Sequence, residues 1–357
     1  MNTKFFQTNA YFHARLEAVG RRMGFKAAAP EACSVWRHDL AGILRQLLGL
    51  DRMIPCAPNP RLTEEVQCEG YRRQRVEIDT EPGVTMPLYV LIPDGASQPF
   101  TPLIAAHGHV SGGKLAPAGI VDVPGIRETV LQYNYDYGVK CAQRGYLVFC
   151  PDARGMGERR ESLSERAESL LGSSCSQLTN MAMPLGMTVI GMWTWDLMRL
   201  LDYIQTRPDC QGRPIGCIGL SGGGLQTLYL AALDERVACA VVSGYFYGVR
   251  DSLLDICCCD CNYVPHLWEY ADMGDLGAMI APRPLLVESG TRDELNGARG
   301  IVNTIEQVEI ARAAYQALAV PDHLSHDIFE GDHRWHGTQA YDWLDRWLRA
   351  DVVEHEG

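Results

Sequence analysis

The sequence predicts an α/β fold: a mostly parallel, doubly wound sheet with helices on both faces, preceded by a helical extension. Three observations carry that expectation. Short apolar runs, among them Pro102–Ala106, Tyr146–Cys150 and Pro284–Glu288, alternate with helical stretches, the pattern of strands buried on both faces. A tight connection at Glu81-Pro82-Gly83 joins Arg75–Ile78 to Met86–Ile92 as an antiparallel hairpin. Pro214–Leu233 passes from an apolar strand through a glycine cluster directly into an apolar helix.

Taken in order, residues 1–69 read as a helical extension packed on the main domain. Trp36, Leu40, Ile43, Leu44, Leu47 and Leu48 share one helical face, and the proline-rich PCAPNPR closes the segment. Residues 70–357 form the sheet domain. After the hairpin, the strand at Pro102–Ala106 ends in His107-Gly108-His109. A single helix carrying Val130, Leu131 and Cys141 leads to the fourth strand, Tyr146–Cys150, and to Asp152-Ala-Arg154-Gly-Met-Gly157. Residues 158–187, polar and then methionine-rich, read as an insertion after that strand, a lid or pocket wall. Thr188–Ile204 is a helix whose Trp193 and Trp195 have core spacing. Beyond the glycine cluster come a strand at Cys239–Gly244, an excursion through four cysteines and Tyr263–Ile280, and the strand Pro284–Glu288. A helix at Ile305–Leu318 and a strand at Asp327–Phe329 follow. The last helix aligns Ala340, Trp343, Leu344, Trp347 and Leu348.

Composition narrows the function classes. Of 357 residues 46% are hydrophobic and 21% charged, those of an ordinary globule, and the net charge of −12 opposes nucleic acid and anionic membranes as partners. The first twenty residues hold no apolar core of signal-peptide type, and no apolar run is long enough to span a bilayer. Thirteen cysteines without regular framing fit free thiols in a reducing cytoplasm. Cys257, Cys258, Cys259 and Cys261 invite a metal reading. Neighbouring cysteines point in different directions, however, and no second C-x-x-C pair lies nearby, so the expectation is buried thiols along a pocket wall, with no metal and no cofactor. A homo-oligomer is compatible with the sequence, but no interface is legible in it.

The chemistry is concentrated in Gly219-Leu-Ser221-Gly222-Gly-Gly224. A chain of this composition contains the bare G-x-S-x-G pattern about 0.2 times by chance. Placed between a buried strand and an apolar helix, however, it is a nucleophile elbow, with the Ser221 hydroxyl exposed on a strained turn at a helix N-terminus. A serine needs a base oriented by a carboxylate, and both follow in the order this arrangement requires. Asp293, in the loop after the strand Pro284–Glu288, is the expected acid, with Glu288 its rival at the end of that strand. His333, in the turn after Phe329, is the expected base, with His336 its rival. The oxyanion donors are expected from the Gly222 N–H and from the Gly108-His109 loop. His107 reads as a brace for that loop, and Asp152 and Arg154 as an internal ion pair or loop brace. His107-Gly108-His109, without a carboxylate at ligand spacing, makes a poor metal site.

Over about residues 70–350 the chain resembles serine hydrolases of the α/β-hydrolase superfamily. Within it, the chain is similar to the branch holding acetyl xylan esterase-like, dienelactone hydrolase-like and prolyl oligopeptidase-like catalytic domains. The resemblance rests on His107-Gly108, DARGMG at 152–157, Trp195-Asp196 with Arg199 and Asp202-Tyr203, GLSGGG, PRPLLVESGTRD and GDHRWHG. It implies Ser221 as nucleophile, Asp293 as acid and His333 as base of a serine esterase working through an acyl-enzyme on small acyl or acetyl esters, those of carbohydrates included. Two departures refine it. Dienelactone hydrolases carry cysteine where this chain has Ser221, and the β-propeller of oligopeptidases is replaced by residues 1–69, which favours esters over peptides. A peptidase or amidase, or a catalytically silent binding protein of the same fold, are the alternatives.

Overall fold

The structure, a computed structural model, describes residues 7–161 and 169–349. Two helices come first, α1 (Asn9–Val19) and α2 (Pro30–Leu48). Pro30 opens α2 where its missing N–H costs nothing, and Gly49 closes it in the left-handed conformation at φ 75°. Leu40, Leu44 and Leu48 of its apolar face are fully buried. The extension is tied down by polar contacts as well: Arg21 pairs with the buried Asp275 at 2.9 Å, and Arg37 donates to the Ala281 carbonyl at 2.7 Å.

Among the described residues nine strands form one sheet: β1 (Arg61–Cys68), β2 (Tyr71–Glu81), β3 (Val84–Pro93), β4 (Thr101–Ala106), β5 (Tyr146–Pro151), β6 (Ile215–Leu220), β7 (Val237–Ser243), β8 (Leu285–Gly290) and β9 (Leu324–Phe329). Their spatial order is β1-β2-β3-β5-β4-β6-β7-β8-β9. The first three are antiparallel, and from β5 to β9 all pairings are parallel. Every residue of β4, β5, β6 and β8 is buried, because helices cover both faces there.

The remaining helices are α3 (Ile126–Tyr133), α4 (Tyr137–Gln143), α5 (Cys175–Ala182), α6 (Val189–Thr206), α7 (Gly222–Leu233), α8 (Leu267–Tyr270), α9 (Met273–Ile280), α10 (Ile301–Ala317) and α11 (Ala340–Leu348). Thr188 caps α6 by accepting the Gly191 N–H at 3.0 Å, and every residue of α7 is buried. No helix of the described residues is long and apolar enough to cross a membrane.

Three expectations need correction. Arg61–Cys68, read as part of a helical extension, is the edge strand β1, paired with β2 from Arg61↔Glu77 to Cys68↔Tyr71. It is largely exposed, so no apolar alternation marks it in the sequence. The insertion 158–187 consequently follows the fifth strand rather than the fourth, and its residues 162–168 lie outside the described residues. The single helix expected between β4 and β5 is two. Asn134 takes the left-handed conformation at φ 56° and donates its side-chain amide to the Trp335 carbonyl at 2.8 Å, which ends α3 and turns the chain into α4.

The sheet order reverses at β4, since β5 lies on one side of it and β6 on the other. The chain leaves these two strands in opposite directions, which opens a crevice beyond their carboxyl ends. His107-Gly108-His109 and Ser221 both stand at that crevice.

Candidate active site

Ser221 links β6 to α7 at φ 59° and ψ −121°, a conformation costing about 1–3 kcal/mol for a residue with a side chain and held only because its surroundings dictate it. The glycines permit this. A Cβ on Gly219 would stand 2.4 Å from the Gly223 backbone, and one on Gly223 would stand 2.1 Å from the Ala106 carbonyl oxygen. Strand, turn and helix therefore pass in backbone contact, and the Ser221 N–H is fixed by the Ser243 carbonyl at 2.9 Å. Gly222 opens α7, and among the described residues its N–H makes no hydrogen bond, so it is a free donor at the positive end of a helix dipole.

The loops after β8 and β9 bring Asp293 to His333. The buried Asp293 accepts the His333 Nδ1 proton at 2.7 Å through Oδ2, while its Oδ1 accepts the Leu295 N–H at 2.9 Å. The His333 ring rests on Gly244, whose missing Cβ would lie 2.9 Å from Cε1. Gly244 follows Ser243, which holds Ser221, so base and hydroxyl are referred to one stretch of backbone.

Both rivals are engaged elsewhere. Glu288 is fully buried, and its carboxylate accepts the Gly337 N–H at 2.7 Å and the His336 N–H at 3.3 Å. Burial pushes its carboxyl up to about 7. His336 Nδ1 binds Asp327 Oδ2 at 2.7 Å, and Gln339 donates to the other Asp327 oxygen at 3.0 Å. Glu288, Asp327 and His336 stand close enough together to hold a metal ion, but their oxygens are already taken up in tying the segment 336–339 to β8 and β9.

The loop after β4 presents its amides by turning its carbonyls away. The Gly108 carbonyl accepts from Ser111 Oγ at 2.8 Å and from His107 Nδ1 at 2.9 Å, and the His109 carbonyl accepts from the Tyr135 hydroxyl at 2.9 Å. The His109 N–H has no hydrogen-bond partner among the described residues. Gly108 is pressed against the elbow, since a Cβ there would lie 2.6 Å from the Leu220 carbonyl oxygen. His107 is buried, accepts the Ala153 N–H at Nε2 over 3.0 Å, and has its imidazole pKa lowered by that burial. It ties the loops after β4 and β5 together.

Asp152 and Arg154 brace the same region. Lys114 is buried against Asp152 at 2.6 Å and also contacts Glu158. Arg154 pairs with Asp196 at 2.7 Å and with Glu81 at 2.8 Å. Burial alone would raise the Asp196 carboxyl, yet Arg159 and Arg154 draw it down to about 2.

Ser221, Gly222, His109, Asp293 and His333 all line one cavity of about 690 Å³. Its remaining walls include Tyr133, Tyr135, Tyr245 and Tyr247, with Cys257, Cys258 and Cys259 at one side and Arg292 and Arg334 at another. None of the described residues of 158–187 borders it. Leu170–Ser173 face a smaller cavity of about 200 Å³ behind His109, and Met183 and Met187 join Phe12 and Leu16 around a separate apolar one of about 390 Å³. Cys257, Cys258 and Cys259 do line the cavity wall, as expected of the cysteine excursion, and residues 162–168 of the insertion lie outside the described residues.

One grouping was invisible to sequence reasoning. Cys259 and Cys261 meet Cys175 and the side chain of His109, residues far apart in the chain, with the four ligand atoms within 4.8 Å of one another.

The sequence profile of the Abhydrolase family matches residues 1–348. The chain belongs to this family. As an abhydrolase it is 33% identical over 184 residues to YtaP of Bacillus subtilis (strain 168), a protein named as a candidate hydrolase. That match takes in 49% of this chain and 56% of YtaP, so the chain spans only about half the length of this relative. Among solved structures, a candidate acetyl xylan esterase from Bacteroides fragilis NCTC 9343 superposes with a TM-score of 0.74 at 18% identity, covering 99% of this chain and 94% of that one. A glucuronoyl esterase from Solibacter usitatus gives 0.63 at 16% identity, over 94% of this chain and 96% of its own. At such identities the likeness establishes the shared α/β-hydrolase fold.

Proposed function

We propose that this abhydrolase is a carboxylic-ester hydrolase working through an acyl-enzyme. One observation carries the reading: a serine on a strained elbow beside a free helix-terminal N–H shares a cavity with a histidine held at 2.7 Å by a buried aspartate. Ser221 Oγ attacks the ester carbonyl carbon as His333 Nε2 takes its proton. Asp293 keeps the other ring proton on Nδ1 and stabilises the imidazolium. The negative oxygen of the tetrahedral intermediate lies between the N–H groups of Gly222 and His109. Collapse expels the alcohol, which takes the proton from His333, and water then repeats the sequence on the acyl-serine.

The proposed substrates are small acyl or acetyl esters, those of carbohydrates foremost. Four tyrosines and two arginines beside the serine offer ring faces and donors to a polyol, and the named activities of the fold neighbours support the same class. All thirteen cysteines are free, which supports a reducing compartment, the cytoplasm, as the working environment.

The test is labelling by a fluorophosphonate, mapped by mass spectrometry, beside hydrolysis of p-nitrophenyl acetate. Labelling at Ser221, with hydrolysis abolished in Ser221→Ala and His333→Ala, is the expected result. A folded protein that neither labels nor hydrolyses would make the elbow an architectural relic, and faster turnover of proline anilides than of acetate esters would make the enzyme an amidase.

A further inference from the structure

We propose that His109, Cys175, Cys259 and Cys261 form a structural zinc site that clamps the loop after β4 to the wall of the reaction cavity. The four residues come from three separate segments. His109 lies three residues beyond the end of β4, in the loop that begins at His107. Cys175 opens α5, and Cys259 and Cys261 flank Asp260 in the excursion after β7. Three sulfurs and one imidazole nitrogen within 4.8 Å of one another are the donor set and number that zinc takes in closed, four-coordinate sites.

The geometry agrees with such a site. Cys261 Sγ lies 3.5 Å from His109 Nε2. A tetrahedral ion with bonds of about 2.3 Å to sulfur and about 2.0–2.1 Å to nitrogen sets that edge at about 3.5 Å. The grouping is too compact for an iron–sulfur cluster, whose ligands are spread around several metal ions. No disulfide consumes any of the three sulfurs.

The surroundings suit thiolates. Asn262 Nδ2 points at Cys261 Sγ over 3.6 Å and donates to the Cys259 carbonyl at 2.8 Å, while its oxygen accepts the Tyr245 hydroxyl at 2.7 Å. A fixed N–H donor to a ligand sulfur is the kind of outer contact that holds metal ligands in place. Cys257 is exposed and Cys258 lies outside the group, which resolves the ambiguity of four nearly adjacent cysteines: only the C-x-C pair converges.

Binding exchanges three thiol protons for one Zn²⁺, and because all four ligands are protein atoms the ion has no open position for substrate. Its effect on the reaction is indirect. His109 Nε2 faces the sulfurs, whereas Nδ1 stands 3.0 Å from where a Gly222 Cβ would be. Metal on Nε2 fixes the Nδ1–H tautomer and fixes the residue whose N–H faces the crevice. His109 is thus a positioning residue, and the metal assignment stands whether or not the esterase reading does.

The experiment measures metal on the purified full chain, expressed in zinc-supplemented medium. The expected result is about one zinc per chain, released by mercurial titration of thiols, and thiolate-to-metal charge-transfer bands when Co²⁺ replaces it. Cys261→Ser and Cys259→Ser lose the metal and lower the melting temperature, while Cys257→Ser keeps both. Should the serine variants fail to fold, the cobalt spectrum of the wild type still decides. Wild-type protein with less than about a tenth of a zinc per chain and no cobalt–thiolate bands overturns the proposal, as does equal metal loss in Cys257→Ser or a disulfide joining any two of the three cysteines.

Discussion

Replacing Asp293 by asparagine is the sharpest test of the proposed chemistry, because the structure dictates how the amide must sit. Oδ1 of Asp293 accepts the Leu295 N–H at 2.9 Å, an acceptor role that only the carbonyl oxygen of asparagine can fill. The NH₂ group is then directed at His333 Nδ1, where Oδ2 now accepts at 2.7 Å. A donor at that point forces the ring proton onto Nε2, the atom that should take the proton from Ser221. The variant keeps its volume and its hydrogen-bond count but holds the wrong tautomer. The expected loss in kcat toward p-nitrophenyl acetate is about 10³–10⁴-fold. That corresponds to about 4–5 kcal/mol of transition-state stabilisation at about 1.4 kcal/mol per decade. KM and the melting temperature should change little. Retention of activity within about tenfold of the wild type would refute the assignment of Asp293, and an equal loss in Glu288→Gln would show that the carboxylates act as one network rather than as acid and brace.

Two further outcomes follow from the packing. Gly223→Ala places a methyl group 2.1 Å from the Ala106 carbonyl oxygen, a backbone atom that cannot yield, so thermal melts should show a loss of about 3 kcal/mol or more, or no folded protein at all. Glu288 has its carboxyl raised from 4.5 to about 7 by burial, so the folded state binds the proton more tightly than the unfolded chain. Its contribution is fully present below about pH 4.5 and is lost as pH rises through about 7, by up to about 3 kcal/mol. Glu288→Gln should flatten that part of the stability–pH curve measured by urea unfolding, and an unchanged slope would show that the carboxyl is ionised throughout.

The sequence by itself determined the parallel core of the sheet, the glycine-flanked turn at Ser221 and the order in which Ser221, Asp293 and His333 appear. Each of these is written locally: buried strands as apolar runs, the elbow as glycines where only glycine fits, and Asp293 and His333 as residues in the turns just beyond strands. Choosing between Asp293 and Glu288, or between His333 and His336, was different. The proposed preference for Asp293 and His333 rests on Glu288 accepting the Gly337 N–H and on His336 pairing with Asp327, contacts between groups the local sequence does not bring together. Strand β1 was illegible for a related reason, since an exposed edge strand is stabilised by its pairing with β2 and not by an apolar pattern of its own. The grouping of His109, Cys175, Cys259 and Cys261 is the extreme case: their spacing in the chain carries no metal signature, and only the crevice where the sheet reverses direction, with the excursion and α5 folded beside it, brings the four within reach of one ion.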